Sequence, residues 1–252
     1  GCGTGILSLF CAQVGAKAVY AIDCSEIADY AKLIVKENKY DHVITVIKGK
    51  VEEITLPVDK VDVIVSEWMG YFLFYESMLD TVIYSRDKWL KPGGVMLPDY
   101  LTLNLVGIED AEYKNEKLNF WDNVYGFSMK CIKDVAIQEP LVDVVEAQQV
   151  CTDVRLLREC KVPEYSVEDC TFTCPFELTA KRNDYIHALV AYFDTFFTTG
   201  HKPTKFSTGP EHQQTHWKQT VFYLDHEITI CEGEKLTGTL ACKPNATNRR
   251  DL

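Results

Sequence analysis

Two glutamates, Glu67 and Glu76, bracket an otherwise apolar and aromatic run, Trp68-Met69-Gly70-Tyr71-Phe72-Leu73-Phe74-Tyr75. Enclosing two carboxylates in such surroundings is costly unless a cation compensates them. A planar guanidinium does this best, because its fork of donors can face one carboxylate on each side. A single Glu here would more often pair with an arginine of its own chain or reach water; two in one aromatic frame predict a cation clamp. A second chemical element is the loop Gly1-Cys2-Gly3-Thr4-Gly5, followed directly by a helical pattern. Its glycines let the backbone approach a ligand, and the helix N-terminus offers free N–H groups. Two more carboxylates suit a nucleotide-like ligand. Asp23 ends the next strand, where it can accept hydrogen bonds from ribose hydroxyls. Glu52, in Gly49-Lys50-Val51-Glu52, could bond an adenine amino group, although read alone it is a solvated loop acid.

These groups need elements to hold them. Residues 1–97 alternate short helix and strand patterns. Ile6, Leu7, Leu9, Phe10 and Val14 form the apolar stripe of a helix that Gly15 stops. Ala18–Ile22 reads as a buried strand ending at Asp23, with Ser25 as N-cap of a helix running to about Asn38. Val43–Ile47 is a second strand. Val61–Ser66 is a third, carrying Glu67 at its C-terminal end, where α/β enzymes put their ligands. Met78, Leu79, Val82, Ile83 and Leu90 mark another helix, stopped by Lys91-Pro92-Gly93-Gly94. This rhythm predicts an α/β fold with a parallel, doubly wound sheet.

From Pro98 onward the pattern changes. Leu101–Val106, Tyr185–Phe197, His216–Leu224, Glu227–Ile230 and Leu236–Cys242 alternate, which predicts an antiparallel sheet or barrel. Between the strands, residues 111–135 read as a partly helical insertion with the aromatics Phe120, Trp121, Tyr125 and Phe127. Such a patch is either an interface or packs onto its own barrel. The expected organisation is two domains, 1–97 and 98–252.

Of the 252 residues, 46% are hydrophobic and 25% charged, which excludes fibrous and wholly disordered classes. No run approaches the ~20 apolar residues of a membrane span, and no secretory signal is expected at Gly1. A net charge of −11 disfavours nucleic acid and anionic membranes as partners and suits a cationic ligand. The ten cysteines show no CxxC pair and no His spaced to complete a zinc site, so no metal is expected and a reducing compartment is. Cys11, Cys131 and Cys242 lie in apolar runs, where a thiol acts as a small hydrophobe. The sequon Asn245-Ala246-Thr247 is then a chance match.

With Ile6 where a dinucleotide fingerprint has its third Gly, the loop resembles S-adenosylmethionine-dependent methyltransferases more than dehydrogenases. Ser66-Glu67-Trp68-Met69-Gly70-Tyr71, ending in Glu76, is similar to the double-E loop of the protein arginine N-methyltransferases. Thr215-His216-Trp217, preceded by Phe206-Ser207-Thr208, is similar to that family's T-H-W loop. Asn123–Phe127, Lys181–Tyr185 and His216–Tyr223 resemble its type I members, and the resemblance covers essentially the whole chain. It implies a Rossmann-like S-adenosylmethionine-binding sheet followed by an antiparallel β-barrel-like domain with a helical dimerisation arm at about 111–135. It also implies methyl transfer from S-adenosylmethionine, leaving S-adenosylhomocysteine, to the terminal guanidino nitrogens of arginine in histones and RGG-type RNA-binding proteins. The implied products are mono- and asymmetric dimethylarginine, made by a homodimer in nucleus and cytoplasm.

Residue by residue, the resemblance implies that Gly1, Gly3, Thr4 and Gly5 cradle the cofactor. Asp23, with Cys24 beside it, holds the ribose; Val51 and Glu52 meet the adenine; and Met78 packs near the sulfonium. Glu67 and Glu76 clamp the substrate arginine, and His216 supports it or accepts a proton, although a His beside Trp217 equally fits a structural residue. Asp at 23 departs from the family's more usual Glu, keeping the charge with a shorter reach. Pro98 matches a linker proline that is often cis. The family's lid helix and innermost strand lie ahead of the Gly loop, and its last barrel strands lie beyond position 252, so the chain is expected to be a fragment of its parent. Three rival readings remain. A catalytically inactive homologue serving as dimerisation partner or scaffold has no reason to keep both acids and the glycines. A methyltransferase for lysine or a small molecule does not need two flanking carboxylates. A NAD-dependent dehydrogenase is disfavoured by Ile6.

Overall fold

In the computed structural model, which describes residues 1–252, the first unit comprises Gly1–Met69, Met78–Asp99 and Val162–Val167. The second comprises Gly70–Ser77, Tyr100–Lys161 and Glu168–Leu252. The division therefore does not follow a single cut near residue 97. The chain leaves the first unit within the aromatic run, at Gly70, and returns at Met78.

The first unit holds two parallel strand pairs. β1 (Val19–Asp23) lies beside β2 (Ile44–Lys48), with Val19 opposite Ile44 and Asp23 opposite Lys48. β3 (Val61–Val65) lies beside β4 (Leu90–Leu97). Helix α1 (Ile6–Gln13) precedes β1, α2 (Ile27–Glu37) links β1 to β2, and α3 (Leu79–Trp89) leads into β4. In α2, Ala28, Ala31 and Val35 recur on one buried face, while Asp29 in its first turn and Lys36 in its last complement the helix dipole. Val35 meets Ala12, Ala21 and Ile44 in one core cluster; Val51, Leu56 and Trp89 form another.

Three expectations change here. α1 turns its small residues, Ser8 and Ala12, inward, whereas Ile6, Phe10 and Val14 stand out, Val14 at 85% exposure. Small side chains let the helix approach β1 closely, so the bulky half of the stripe is left outside. Ser25 does not cap α2, which begins at Ile27 without a side-chain cap; its hydroxyl donates instead to Asp23 Oδ1 at 2.8 Å. Lys91-Pro92-Gly93-Gly94 does follow the end of α3, but it lies within β4. The register slips there, with Val61 opposite Leu90 and Val63 opposite Val95, because Pro92 has no N–H for a ladder.

In the second unit β5 (Tyr100–Ile108), β6 (Leu141–Asp143), β7 (Arg155–Lys161), β9 (Asp184–Phe197), β10 (Thr204–Ser207) and β11 (Gln219–Ile230) form one antiparallel sheet. Its order is β6-β11-β9-β5-β7, with β10 also on β9, while β8 (Phe172–Thr179) pairs with β12 (Lys235–Cys242). The antiparallel character is as expected. The stretches His216–Leu224 and Glu227–Ile230 are not two strands: β11 is continuous from Gln219, with a register shift between Tyr223 and Ile228. Val106, Ile108, Val145, Val150, Ala188, Val190 and Val221 make one of its core clusters. Cys151 and Cys242 are buried fillers, and burial pushes both thiols up to about 11, whereas Cys131 is exposed on the helix Lys130–Ala136. The Leu97–Pro98 peptide is cis.

The insertion starts with a short helical stretch, Ala111–Asp122, and turns at Tyr125-Gly126. Both of these residues have positive φ, 50° and 92°, the signature of a type I′ hairpin turn, and Val124 bridges to Phe127. The turn leaves Tyr125 at 94% and Phe127 at 71% exposure.

Candidate active site

In the first unit the glycine loop is tied to the end of β1. Cys2 N–H donates to Ile22 O at 2.8 Å, and Gly5 N–H to Cys2 O at 2.9 Å. Gly5 enters α1 with φ 91°, a left-handed conformation that a Cβ disfavours, and the first turn of the helix has no side-chain cap. Gly3 N–H donates to Asp23 Oδ2 at 2.8 Å, while Ser25 N–H and Oγ–H donate to Oδ1. Burial alone would raise the Asp23 carboxyl, but these donors outweigh it and hold it below the ordinary aspartate range. A carboxylate kept ionised at a strand end, an acceptor for ribose hydroxyls, lies beside an uncapped helix start whose N–H groups can donate to a carboxylate-bearing ligand.

The remaining first-unit residues gather around that loop only in part. Met78 lies against Gly1: a Cβ on Gly1 would come within 2.8 Å of Met78 Cε. Met78 is held in turn by its N–H to Trp68 O at 2.9 Å. Val51 is buried against Leu56 and Trp89. Glu52 is exposed and accepts from Thr81 Oγ at 3.2 Å, so α3 rather than solvent orients its carboxylate. Tyr84 adds a hydrogen bond to the Glu52 carbonyl. Thr4 and Cys24 are exposed.

Glu67 follows β3 and is exposed, next to Trp68, which is 1% exposed. In the second unit, Gly70–Ser77 is a tight hairpin. Gly70 N–H donates to Leu73 O and Tyr75 N–H to Tyr71 O. Phe72, Leu73 and Glu76 all take positive φ, 53°, 66° and 56°. Three left-handed non-glycine residues in five positions mark a backbone that its surroundings over-determine, as at functional sites. The surroundings are visible: Phe72 packs edge-on to Phe222 on β11, and Phe74 edge-on to Phe172 on β8.

The expectation that both glutamates are enclosed is corrected. The run buries Trp68, Met69, Gly70, Phe72, Leu73 and Phe74, and leaves Glu67 and Glu76, at its two ends, exposed. The Glu76 carboxylate has no hydrogen-bond or ion-pair partner within the chain. His216 is exposed as well, its ring 3.9 Å from that of Trp217, which stacks on Phe206 at 5.8 Å and meets Phe193 edge-on. No group of three or more His, Cys, Asp or Glu is arranged to hold a metal ion. Sequence reasoning missed Thr81, Tyr84 and Arg250, whose partners lie 29, 32 and 174 residues away.

The fold and the glycine loop define the chain as a methyltransferase domain joined to an antiparallel unit. Residues 1–97 match the methyltransferase domain family, and residues 99–252 match the arginine methyltransferase oligomerization subdomain. The protein arginine N-methyltransferase 1 of Chlamydomonas reinhardtii is 62% identical over the whole chain, which spans 73% of that relative. The rice (Oryza sativa subsp. indica) protein of the same name is also 62% identical, and the chain spans 65% of its length. Among solved structures, the Trypanosoma brucei PRMT1 enzyme-prozyme heterotetrameric complex with AdoHcy superposes with a TM-score of 0.96 at 47% identity. It covers 99% of this chain and 79% of its own. Arabidopsis thaliana protein arginine methyltransferase 10 gives 0.89 at 33%, covering 99% and 80%. The chain belongs to the protein arginine N-methyltransferase family.

Proposed function

We propose that the chain transfers methyl groups from S-adenosylmethionine to the terminal guanidino nitrogens of protein arginines, in histone tails and RGG-type segments, giving mono- and asymmetric dimethylarginine. The observation that carries this reading is the hairpin Gly70–Ser77. It commits its apolar residues to the interior while leaving the Glu76 carboxylate uncompensated for an external cation.

Gly1, Gly3, Thr4, Gly5, Asp23, Cys24, Val51, Glu52 and Met78 hold the cofactor. The ionised Asp23 takes the ribose hydroxyls, and the uncapped start of α1 takes the carboxylate end. S-adenosylmethionine, when bound, supplies a methyl group on a sulfonium, and the S–CH3 electron pair stays on sulfur as S-adenosylhomocysteine forms. Glu67 and Glu76 bind the substrate guanidinium, whose charge is delocalised and whose nitrogens are poor nucleophiles. Carboxylates on two edges draw positive character toward themselves and leave a lone pair on the attacking nitrogen. The rest is alignment and electrostatics. The nitrogen then sheds one proton, for which we assign His216, braced by Trp217, as acceptor.

Mass spectrometry of an RGG peptide incubated with the full-length protein and S-adenosylmethionine tests the reading. Arginine carrying one methyl, then two on the same nitrogen, is the expected result. Methylation confined to lysine, or none, overturns it.

We further assign a homodimer in which the 111–135 arm of one copy sits on the first unit of the other. Support comes from the exposed pair Tyr125 and Phe127 and from the apolar face Ile6, Phe10 and Val14 left open on α1. Replacing Tyr125 and Phe127 together by Ser is expected to give a monomer in gel filtration, and an unchanged dimer rejects the arm. The absence of a CxxC pair and the burial of Cys151 and Cys242 as small apolar fillers support a reducing nucleus and cytoplasm as its location.

A further inference from the structure

Glu76 meets a residue that no motif marks. Its N–H donates to the Arg250 carbonyl at 2.6 Å, and its own carbonyl accepts from Arg250 Nη2 at 2.8 Å. Both main-chain polar groups of Glu76 are thus satisfied by one residue, 174 positions later in the chain. The left-handed Glu76, with φ 56°, is where the backbone needs such support.

Arg250 is itself presented by a compact loop. Asn245 Oδ1 accepts from the N–H of Thr247 and of Asn248, Asn248 Oδ1 from the N–H of Arg250, and Asn245 N–H closes onto Asp251 O at 2.9 Å. The loop is exposed, so Arg250 is not part of a packed core. Its chemistry is also selective. A guanidinium near a substrate-binding glutamate would compete with the substrate if it paired with the carboxylate. Arg250 makes no ion pair with Glu76 and donates to its carbonyl, fixing where the side chain starts while leaving the carboxylate open.

We propose that Arg250 is a positioning residue for Glu76, a two-point clamp on its peptide that aims the carboxylate at the substrate guanidinium. The inference rests on the reading of Glu76 as a substrate-binding carboxylate. A misplacement of the order of 1 Å in a reacting pair can cost about 100-fold in rate. In the full-length protein, Arg250→Ala is therefore expected to lower kcat about 10- to 100-fold, with the peptide KM and the melting temperature little changed. Arg250→Lys retains a donor for the Glu76 carbonyl and is expected to recover most of kcat. In a Glu76→Gln background, Arg250→Ala is expected to add nothing further. Wild-type kcat in Arg250→Ala overturns the clamp, as does an equal loss in Ala and Lys variants accompanied by a lower melting temperature. Full activity of Glu76→Gln, by contrast, overturns the underlying reading of Glu76, so the two failures are told apart.

Discussion

Glu67→Gln and Glu76→Gln are each expected to lower kcat for peptide methylation about 1,000-fold, or roughly 4 kcal/mol of transition-state stabilisation, with cofactor affinity at the wild-type level. The amide keeps the shape and one acceptor but removes the charge that, in the proposed clamp, polarises the guanidinium. The loss is therefore expected on the step in which that charge redistributes, rather than on cofactor binding, for which we propose Asp23 and the Gly1–Gly5 loop. The prediction is sharper for Glu76, because its carboxylate carries no internal partner whose release would complicate the comparison. Single-turnover methylation and isothermal titration with S-adenosylhomocysteine measure the two quantities separately. Near-normal turnover in both variants removes the clamp, and with it the arginine reading.

Gly70→Ala is expected to be nearly as damaging, and for a steric reason. A Cβ built on Gly70 falls 1.7 Å from the carbonyl oxygen of Tyr75, 2.7 Å from its carbonyl carbon and 2.9 Å from the Ser77 nitrogen. All three are backbone atoms of the same hairpin, so no side-chain rotation relieves the clash. The hairpin must open, which costs the Gly70–Leu73 and Tyr71–Tyr75 pairing and disturbs the packing of Phe72 and Phe74. A loss of about 3 kcal/mol is expected, equivalent to roughly 6–12 °C in melting temperature for a protein of this size. Because Glu76 sits at the end of that hairpin, kcat should fall with stability. Thermal unfolding with parallel turnover checks this, and an alanine variant matching wild type in both means that the hairpin is not the rigid support described here.

Much of the site was legible because it is written locally. Gly1-Cys2-Gly3-Thr4-Gly5 before a helix, and Asp23 at a strand end, are short-range statements about which backbone conformations are allowed and where N–H groups point. The structure returns them as Gly5 at φ 91° and a 2.8 Å bond from Gly3 to Asp23. The aromatic frame of Glu67 and Glu76 was equally plain, yet the inference of enclosure from it was wrong. Which members of an apolar run go inside depends on the partners they meet, here Phe172 and Phe222, and these leave both ends of the run in water. The same limit applies to α1. Periodicity locates the apolar residues of a helix, but a core lined by Ala21, Val35 and Ile44 chose the small face, Ser8 and Ala12, over Ile6 and Phe10.

By itself, then, the order of residues determined the glycine loop, the strand-end acid, the pair of glutamates, the change from parallel to antiparallel pattern at Pro98 and the family they resemble. Local sterics and hydrogen bonding act between near neighbours, and those are visible in a string. Only the tertiary structure decided that Gly70 sits against the Tyr75 carbonyl, that Ser25 serves Asp23 rather than α2, and that Arg250 holds Glu76 from 174 residues away. Such contacts depend on chain closure over long stretches, and no local spacing encodes which distant groups that closure brings together.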